Sequence, residues 1–209
     1  MGSSRRWRRV ALAAGLLAIV VAAATVGRST AFHILPLRWT GEARRLATAL
    51  DLRPGSVVAD IGAGDGELAV EIARSVGTSG TVYATEITEP LRAEIADTAR
   101  RAGLTQIRVT AAQERATGLP DACCDAVYLR TVLHHIQDRQ AFAKDLRRTL
   151  KPGGRLAIID FPPSTFFHLA ADHGVTAEYV IDLLTAAGFR LERRVDDWGG
   201  NLFLVLFRS

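Results

Sequence analysis

Residues Val57–Glu67 read V-V-A-D-I-G-A-G-D-G-E and predict a short strand that runs into a glycine turn and then a helix. The apolar, β-branched start of this stretch is typical of a strand buried on both faces of a parallel sheet. Three alternating glycines follow, and apolar residues then recur at helical spacing up to Gly77. Glycine permits positive φ and lets a ligand approach the backbone, while the start of the helix directs free N–H groups at the turn.

The spacing of the glycines distinguishes two kinds of cofactor site. A dinucleotide fingerprint, G-x-G-x-x-G, needs a third glycine for close helix packing, and Glu67 stands at that position. The pattern is instead D-x-G-x-G-x-G from Asp60, and it resembles motif I of the class I S-adenosylmethionine (SAM) dependent methyltransferases. In that family the turn passes beside the amino-acid half of SAM. An ordinary strand–turn–helix connection without a ligand is the alternative.

The distribution of charge argues against a nucleic-acid surface on the folded domain. The chain has 209 residues, enough for one domain, and a formal net charge of +4. Four arginines and no acidic residue lie within residues 1–27, so the rest of the chain balances 22 basic with 22 acidic side chains. The two cysteines, Cys123 and Cys124, are adjacent and predict neither a disulfide framework nor a zinc site; we expect no metal.

The N-terminal residues predict a membrane segment outside the fold. Residues 10–27 are uncharged and follow four arginines. As a helix, eighteen residues span ~27 Å, close to the ~30 Å hydrocarbon core. A signal peptide is the alternative, with a small-residue cleavage site at Ser29-Thr30-Ala31. We therefore expect residues 1–31 to be a basic tail plus an apolar anchor or signal, and residues 32–209 to form the domain.

The side of the membrane stays open at this stage. The first arginines favour the cytoplasm for the N-terminus and an exported or periplasm-facing domain. Further arginines after the apolar segment weaken that bias, and SAM is a cytoplasmic metabolite. We expect a protein that is membrane-associated through residues 10–27, or exported if that segment is cleaved.

Polar residues follow the next two predicted strands. Glu86 ends the strand Thr81–Thr85 and lies 20 residues after Gly66, where a carboxylate can accept hydrogen bonds from both hydroxyls of a ribose. Gln113 and Glu114 follow the strand Ile107–Ala111. The resemblance gives Glu86 the ribose role and implies that a polar side chain at 113 or 114 reaches the adenine amino group.

A second motif extends the resemblance over residues 40–209. The string L-P-D-x-x-x-D-A-V-x-L-x-x-x-L-H-H-I, followed by L-x-P-G-G-R-L-x-I-x-D, closely resembles small bacterial class I methyltransferases of the ubiquinone-biosynthesis type. Alternating strands and helices predict an α/β doubly wound sheet. The resemblance implies a Rossmann-like sheet of seven strands, order 3-2-1-4-5-7-6, mostly parallel with the last antiparallel, preceded by the apolar N-terminal helix.

The remaining element boundaries are predicted from periodicity and turn residues. A first helix covers residues 39–50, Asp138 and Thr176 are N-caps, and Lys151–Gly154 stop a helix. The later strands are expected at residues 125–130, 155–160, 190–195 and 201–207, with a loop at 196–200 before the last.

Ligands of such sheets bind beyond the carboxyl ends of the strands. The predicted cofactor-binding residues are Asp60, Gly62, Ala63, Gly64, Gly66, Glu86, Ile87, Gln113, Glu114 and Arg130. Methyl transfer is an in-line displacement that depends mainly on alignment, and His134 and His135 are the candidate bases if the acceptor must lose a proton.

The sequence thus predicts a SAM-dependent methyltransferase with a small-molecule acceptor that the sequence does not identify. A non-catalytic, membrane-tethered SAM-fold module and an NAD-linked oxidoreductase are the alternatives. The oligomeric state is unknown at this stage.

Overall fold

The computed structural model describes residues 39–163 and 174–209. The chain divides into two units, residues 1–41 and 42–209, and the architecture below is that of the second. The predicted apolar segment at residues 10–27 lies outside the described residues. Among the residues that the structure does describe, no helix is long and apolar enough to cross a bilayer.

Strands and helices alternate along the chain, as the apolar periodicity predicts. Residues 39–49 are helical (α1). The elements that follow are β1 (Val57–Ile61), α2 (Glu67–Val76), β2 (Thr81–Glu86), α3 (Glu89–Arg101), β3 (Ile107–Ala111), β4 (Cys124–Arg130), a 3₁₀ turn (Leu133–His135), α4 (Arg139–Thr149), β5 (Leu150–Asp160), α5 (Ala177–Ala186), β6 (Arg190–Gly199) and β7 (Leu202–Arg208).

The seven strands form one sheet in the order β3-β2-β1-β4-β5-β7-β6, which confirms the predicted order. The first five strands pair in parallel, and β7 pairs antiparallel with both β5 and β6. From β1 the chain continues through β2 and β3 to one edge of the sheet, and it then crosses to β4 on the other side of β1. A ligand site is expected beyond the carboxyl ends of β1 and β4, at this topological switch point.

The core explains why the central strands are apolar on both faces. One face of β1, β4, β5 and β7 packs with α4 and α5 in a single buried cluster. The alternate residues of the same strands, such as Val58, Ala126 and Ala157, are also buried. Helices α2 and α3 pack against each other and against β2 and β3, so the sheet is covered as in other doubly wound folds.

The predicted caps are confirmed. The Asp138 carboxylate accepts a hydrogen bond from the Ala141 N–H at 3.1 Å. The Thr176 hydroxyl accepts one from the Tyr179 N–H at 3.1 Å. These bonds satisfy donors that the first turn of a helix leaves free.

Two predicted boundaries were wrong, and both lie at irregularities in strand pairing. Strand β5 begins at Leu150 rather than Arg155, because the Lys151–Gly154 segment is accommodated where the β4–β5 register shifts. Proline and glycine are tolerated in a strand at such a bulge. Strand β6 likewise continues to Gly199 through a register shift, so the predicted 196–200 loop is mostly strand. Its Trp198 is buried.

Candidate functional site

The strand ends form a pocket of about 320 Å³ at the switch point of the sheet. Each of the four strands β1 to β4 contributes the residues that follow its carboxyl end. The lining residues are Ile61, Gly62, Glu86, Ile87, Ala112, Gln113, Glu114, Val132, His135, Ile136, Gln137 and Phe142. Five of the ten predicted cofactor residues therefore line one cavity, together with one of the two predicted bases.

The glycine turn opens toward this edge of the sheet because its backbone has positive φ. Gly64 has a φ of 58°, and a Cβ added there would meet no heavy atom within 4 Å. At Gly62, with a φ of 72°, an added Cβ would lie 2.6 Å from Cγ2 of Val132. Gly62 is thus required for packing inside the protein, whereas the space at Gly64 is open to a ligand.

Hydrogen bonds from the turn converge on β2. The N–H groups of Gly62 and Ala63 both donate to the Thr85 carbonyl at 3.0 Å. The next N–H, that of Gly64, donates to Oε1 of Glu86 at 3.0 Å. The other carboxylate oxygen of Glu86 accepts from the Ile87 N–H at 3.1 Å. A carboxylate has about four acceptor positions, so Glu86 can brace the turn and still accept hydrogen bonds from two hydroxyls.

Ile87 and the β3–β4 connection form the outer part of the pocket. Ile87 is 57% exposed, which is unusual for a large apolar side chain in this molecule. The Gln113 and Ala116 backbones pair across a tight turn that holds Gln113 and Glu114 at the rim. An exposed apolar side chain beside polar amide and carboxyl groups can hold a flat, polar-edged ring.

Asp60 is buried near the carboxyl end of β1 and does not line the pocket. It is 2% exposed, and its Oδ2 has no hydrogen-bond partner among the described residues. Burial raises the pKa of its carboxyl to about 7, with the Tyr128 hydroxyl and Arg130 acting in the opposite direction and Glu86 and Asp65 adding to the rise. Burial also raises the pKa of Tyr128, its neighbour in the sheet.

Arg130 ends β4 and joins a buried polar cluster. Its Nε donates to Oε1 of Glu42 at 2.8 Å, and Nε1 of Trp198 donates to the same oxygen at 3.1 Å. Helix α1, which the sequence predicts without any role in the site, thus supplies the carboxylate that positions Arg130. Its cofactor-binding role stays a prediction.

The two adjacent histidines occupy different environments. His135 is exposed and lines the pocket. The His134 side chain is 5% exposed, and its Nδ1 lies 2.8 Å from Oδ1 of Asp160 at the carboxyl end of β5. The ring centroids of His134 and His135 are 3.9 Å apart. Neither histidine's catalytic role is tested by this geometry.

Sequence reasoning missed two groups of residues at this edge. Apolar Val132, Ile136 and Phe142 line the pocket, but single apolar residues after a strand carry no distinct signal. Thr131 has a φ of 54°, which is uncommon for a β-branched residue. Such strain is concentrated at functional sites, and it is visible in the three-dimensional structure but not in the sequence.

Within residues 39–163 and 174–209, no group of three or more His, Cys, Asp or Glu side chains is arranged to hold a metal ion.

Comparison with known proteins points to one family. Residues 59–158 match the family model described as a methyltransferase domain. A ubiquinone/menaquinone biosynthesis C-methyltransferase of Marinomonas sp. (strain MWYL1) is 28% identical over 150 residues, covering 70% of this chain and 58% of that protein. A 2-phytyl-1,4-naphtoquinone methyltransferase of Trichormus variabilis (strain ATCC 29413 / PCC 7937) is 29% identical over 139 residues, covering 66% of this chain and 56% of that protein.

A solved structure of a methyltransferase has a similar fold. The crystal structure of a SAM-dependent methyltransferase from Aquifex aeolicus superposes with a TM-score of 0.73 and 26% identity, covering 79% of this chain and 88% of that one. The curated relatives are longer, since the matched stretches span little more than half of each. The residues matched by the family model, 59–158, include the glycine turn and the residues that line the pocket.

Proposed function

Since the chain carries a class I SAM-dependent methyltransferase domain, we propose that it transfers the methyl group of SAM to a small-molecule acceptor. The observation that carries the proposal is the link between Gly64 and Glu86. That hydrogen bond places an open, side-chain-free turn beside a carboxylate with acceptor capacity left over.

The residues present fit the parts of SAM. Glu86 would hold the ribose hydroxyls, Ile87 and the polar pair Gln113 and Glu114 would contact the adenine, and the turn from Gly62 to Gly66 would pass the amino-acid part. When bound, SAM supplies a methyl group already activated by a sulfonium. The protein's task is then to align an acceptor with that carbon, which contributes roughly 7–11 kcal/mol in well-oriented systems.

We propose a reduced quinone ring, a hydroquinone, as the acceptor. The two named relatives are described as methyltransferases of quinone biosynthesis or of a naphtoquinone. A methyl cation equivalent needs an electron-rich carbon, and a hydroquinone ring is electron-rich where a quinone ring is not. The chain's own contribution would be to bind the ring and to remove a proton.

We also propose that residues 10–27 tether the protein to a membrane or direct its export. The support is the uncharged run after four arginines. The mass of the mature protein distinguishes a retained anchor from a cleaved signal, and protease accessibility in sealed vesicles identifies the side on which the domain lies.

Calorimetric titration of the full chain with SAM and with NAD tests the proposed cofactor. We expect a saturable heat with SAM and none with NAD. Incubation with SAM and 2-prenyl-1,4-naphthohydroquinone, kept reduced, then tests the acceptor by a mass increase of one CH₂. A silent SAM titration would contradict the methyltransferase proposal, and SAM binding without methylation would point to another acceptor or to a binding module.

A further inference from the structure

The His134–Asp160 pair lies at the ends of β4 and β5, beside the pocket but outside its lining. We propose that His134 is the base that takes the acceptor's proton, and that Asp160 is the positioning residue that directs its Nε2 to that task. The inference rests on the proposed function and assigns its proton transfer to one of two adjacent imidazoles.

Asp160 is a fixed anchor. Its carboxylate is fully buried. Oδ1 accepts from the Phe161 N–H at 3.0 Å, and Oδ2 accepts from the His134 N–H at 3.3 Å. A buried carboxylate with backbone donors on both oxygens can neither rotate nor leave its position without losing those bonds.

The Asp160 carboxylate determines the tautomer of His134. A carboxylate only accepts hydrogen bonds, so Nδ1 at 2.8 Å from Oδ1 must carry the hydrogen. In the neutral imidazole the lone pair is then on Nε2. A buried carboxylate that orients a base through its Nδ1–H also stabilises the imidazolium that forms.

The backbone around His134 is held as firmly as its ring. Arg139 donates from Nε to the Leu133 carbonyl at 3.1 Å and from Nη2 to the His134 carbonyl at 3.0 Å. The Phe161 ring lies 4.7 Å from the imidazole and shields the pair from water on one side. A base that is preorganised in this way needs no rearrangement when the proton moves.

The neighbouring histidine serves as the internal contrast. His135 faces the cavity that contains Glu86, Ile87 and Gln113, the residues proposed for the nucleoside. His134 is not among the residues that line this cavity and is instead paired with Asp160. The two imidazoles therefore divide between the cofactor and the acceptor.

The chemical step balances with these groups alone. A ring carbon of the hydroquinone forms the new bond to the methyl carbon, and the carbon–sulfur bond breaks with its electron pair left on sulfur. The proton that the acceptor loses goes to Nε2 of His134 and later to water. No oxidant or reductant is consumed.

The test compares His134→Gln with His135→Gln in the full chain, using SAM and 2-prenyl-1,4-naphthohydroquinone. We expect His134→Gln to lower kcat by roughly 10²–10⁴-fold, the usual worth of a general base, with the Kd for SAM within about 3-fold of wild type. The wild-type fall in kcat toward low pH should disappear. His135→Gln should keep that pH profile, and equal effects of the two variants would overturn the assignment.

A second measurement does not depend on turnover. Nitrogen-15 NMR of the imidazoles in the protein without SAM should show the His134 hydrogen on Nδ1, and Asp160→Asn should move it to Nε2. A wild-type hydrogen on Nε2 would overturn the proposal. If SAM binds but the hydroquinone is not methylated, the proposed acceptor is wrong. The tautomer of His134 measured by NMR then tests the His134–Asp160 pair independently of the acceptor.

Discussion

The carboxyl ends of β1 and β2, where we propose that the cofactor binds (the cofactor edge), and those of β4 and β5, where we propose that the acceptor binds (the acceptor edge), differ in the groups that form them. At the β1–β2 edge the shape of the site is set by the backbone of the glycine turn, which has positive φ and whose N–H groups donate to the Thr85 carbonyl and the Glu86 carboxylate. At the β4–β5 edge the site is defined by a pair of side chains, His134 after β4 and Asp160 at the end of β5.

The difference predicts how each edge responds to mutation. A site shaped by a backbone turn is damaged when a new side chain changes the backbone angle or fills the open space beside the turn. A site made of side chains is damaged when a proton or a charge is removed, while the fold persists. The first loss appears in binding and the second in the rate and its pH dependence.

The largest effect is expected at Gly64. Gly64→Val places a β-branched side chain at a φ of 58° and in the space left for the ligand. We expect SAM affinity to fall about 1000-fold or more, which corresponds to roughly 4 kcal/mol. Calorimetry measures the loss, and circular dichroism should show an intact fold.

Gly103→Val is the matched control, since Gly103 has a φ of 68° and equally open surroundings at the end of α3. It carries similar backbone strain away from the site. If Gly64→Val binds SAM within a few-fold of wild type, the turn is structural only and the open space at Gly64 does not receive the cofactor.

Asp60 is the exception on the cofactor edge, because its contribution is set by a proton. A buried carboxyl with a pKa of about 7, against an ordinary 3.8, is neutral in the fold below pH 7 and ionised in the unfolded chain above pH 4. The contribution of Asp60 to the free energy of unfolding is therefore fully present below pH 4 and is lost as the pH rises toward 7.

Asp60→Asn should abolish this loss. One pKa unit corresponds to about 1.4 kcal/mol. The free energy of unfolding of the variant minus that of wild type should therefore increase by roughly 2–4 kcal/mol from pH 4 to pH 8. Urea unfolding at both pH values measures the difference. A constant difference across that range would show that Asp60 does not titrate in the fold.

A smaller effect is expected at Glu86. Glu86→Ala removes acceptors for the Gly64 N–H and for the proposed ribose hydroxyls. Hydrogen bonds to a charged group are worth roughly 1.5–3 kcal/mol, so SAM affinity should fall about 10- to 150-fold with no change in circular dichroism. Glu89→Ala removes the same charge from a side chain that is 90% exposed and should bind normally. An unchanged Kd for Glu86→Ala would place the ribose elsewhere.

The same contrast explains what the sequence could predict. The glycine turn and Glu86 are readable because their roles depend on residue type at fixed short spacing. The strand order came from the resemblance, and the alternation of elements supported it. The bulge within β5 and the extension of β6 depend on register with neighbouring strands, which periodicity does not encode.

Around the carboxyl ends of β4 and β5 the informative contacts join residues far apart in the chain. His134 and Asp160 are 26 positions apart, and Glu42 and Arg130 are 88 apart. A histidine pair after a strand indicates a candidate base, but its carboxylate partner and the division of roles between His134 and His135 appear only in three dimensions. Asp60 shows the converse, since the motif predicts its importance but not that it is buried outside the pocket lining.

The smallest effect is expected from removal of residues 1–31. Every proposed cofactor contact lies at or beyond Asp60, and the charge of the chain after residue 27 is balanced. A domain of about 175 residues can bury its own core. The 32–209 fragment should therefore remain soluble in sedimentation assays and bind SAM within about 3-fold of the full chain, while the full chain, if uncleaved, partitions with membranes. If the fragment also methylates the hydroquinone at the rate of the full chain, both the cofactor edge and the acceptor edge function without residues 1–31. Aggregation of the fragment, or loss of SAM binding, would mean that the N-terminal residues belong to the fold and that the boundary at residue 31 is wrong.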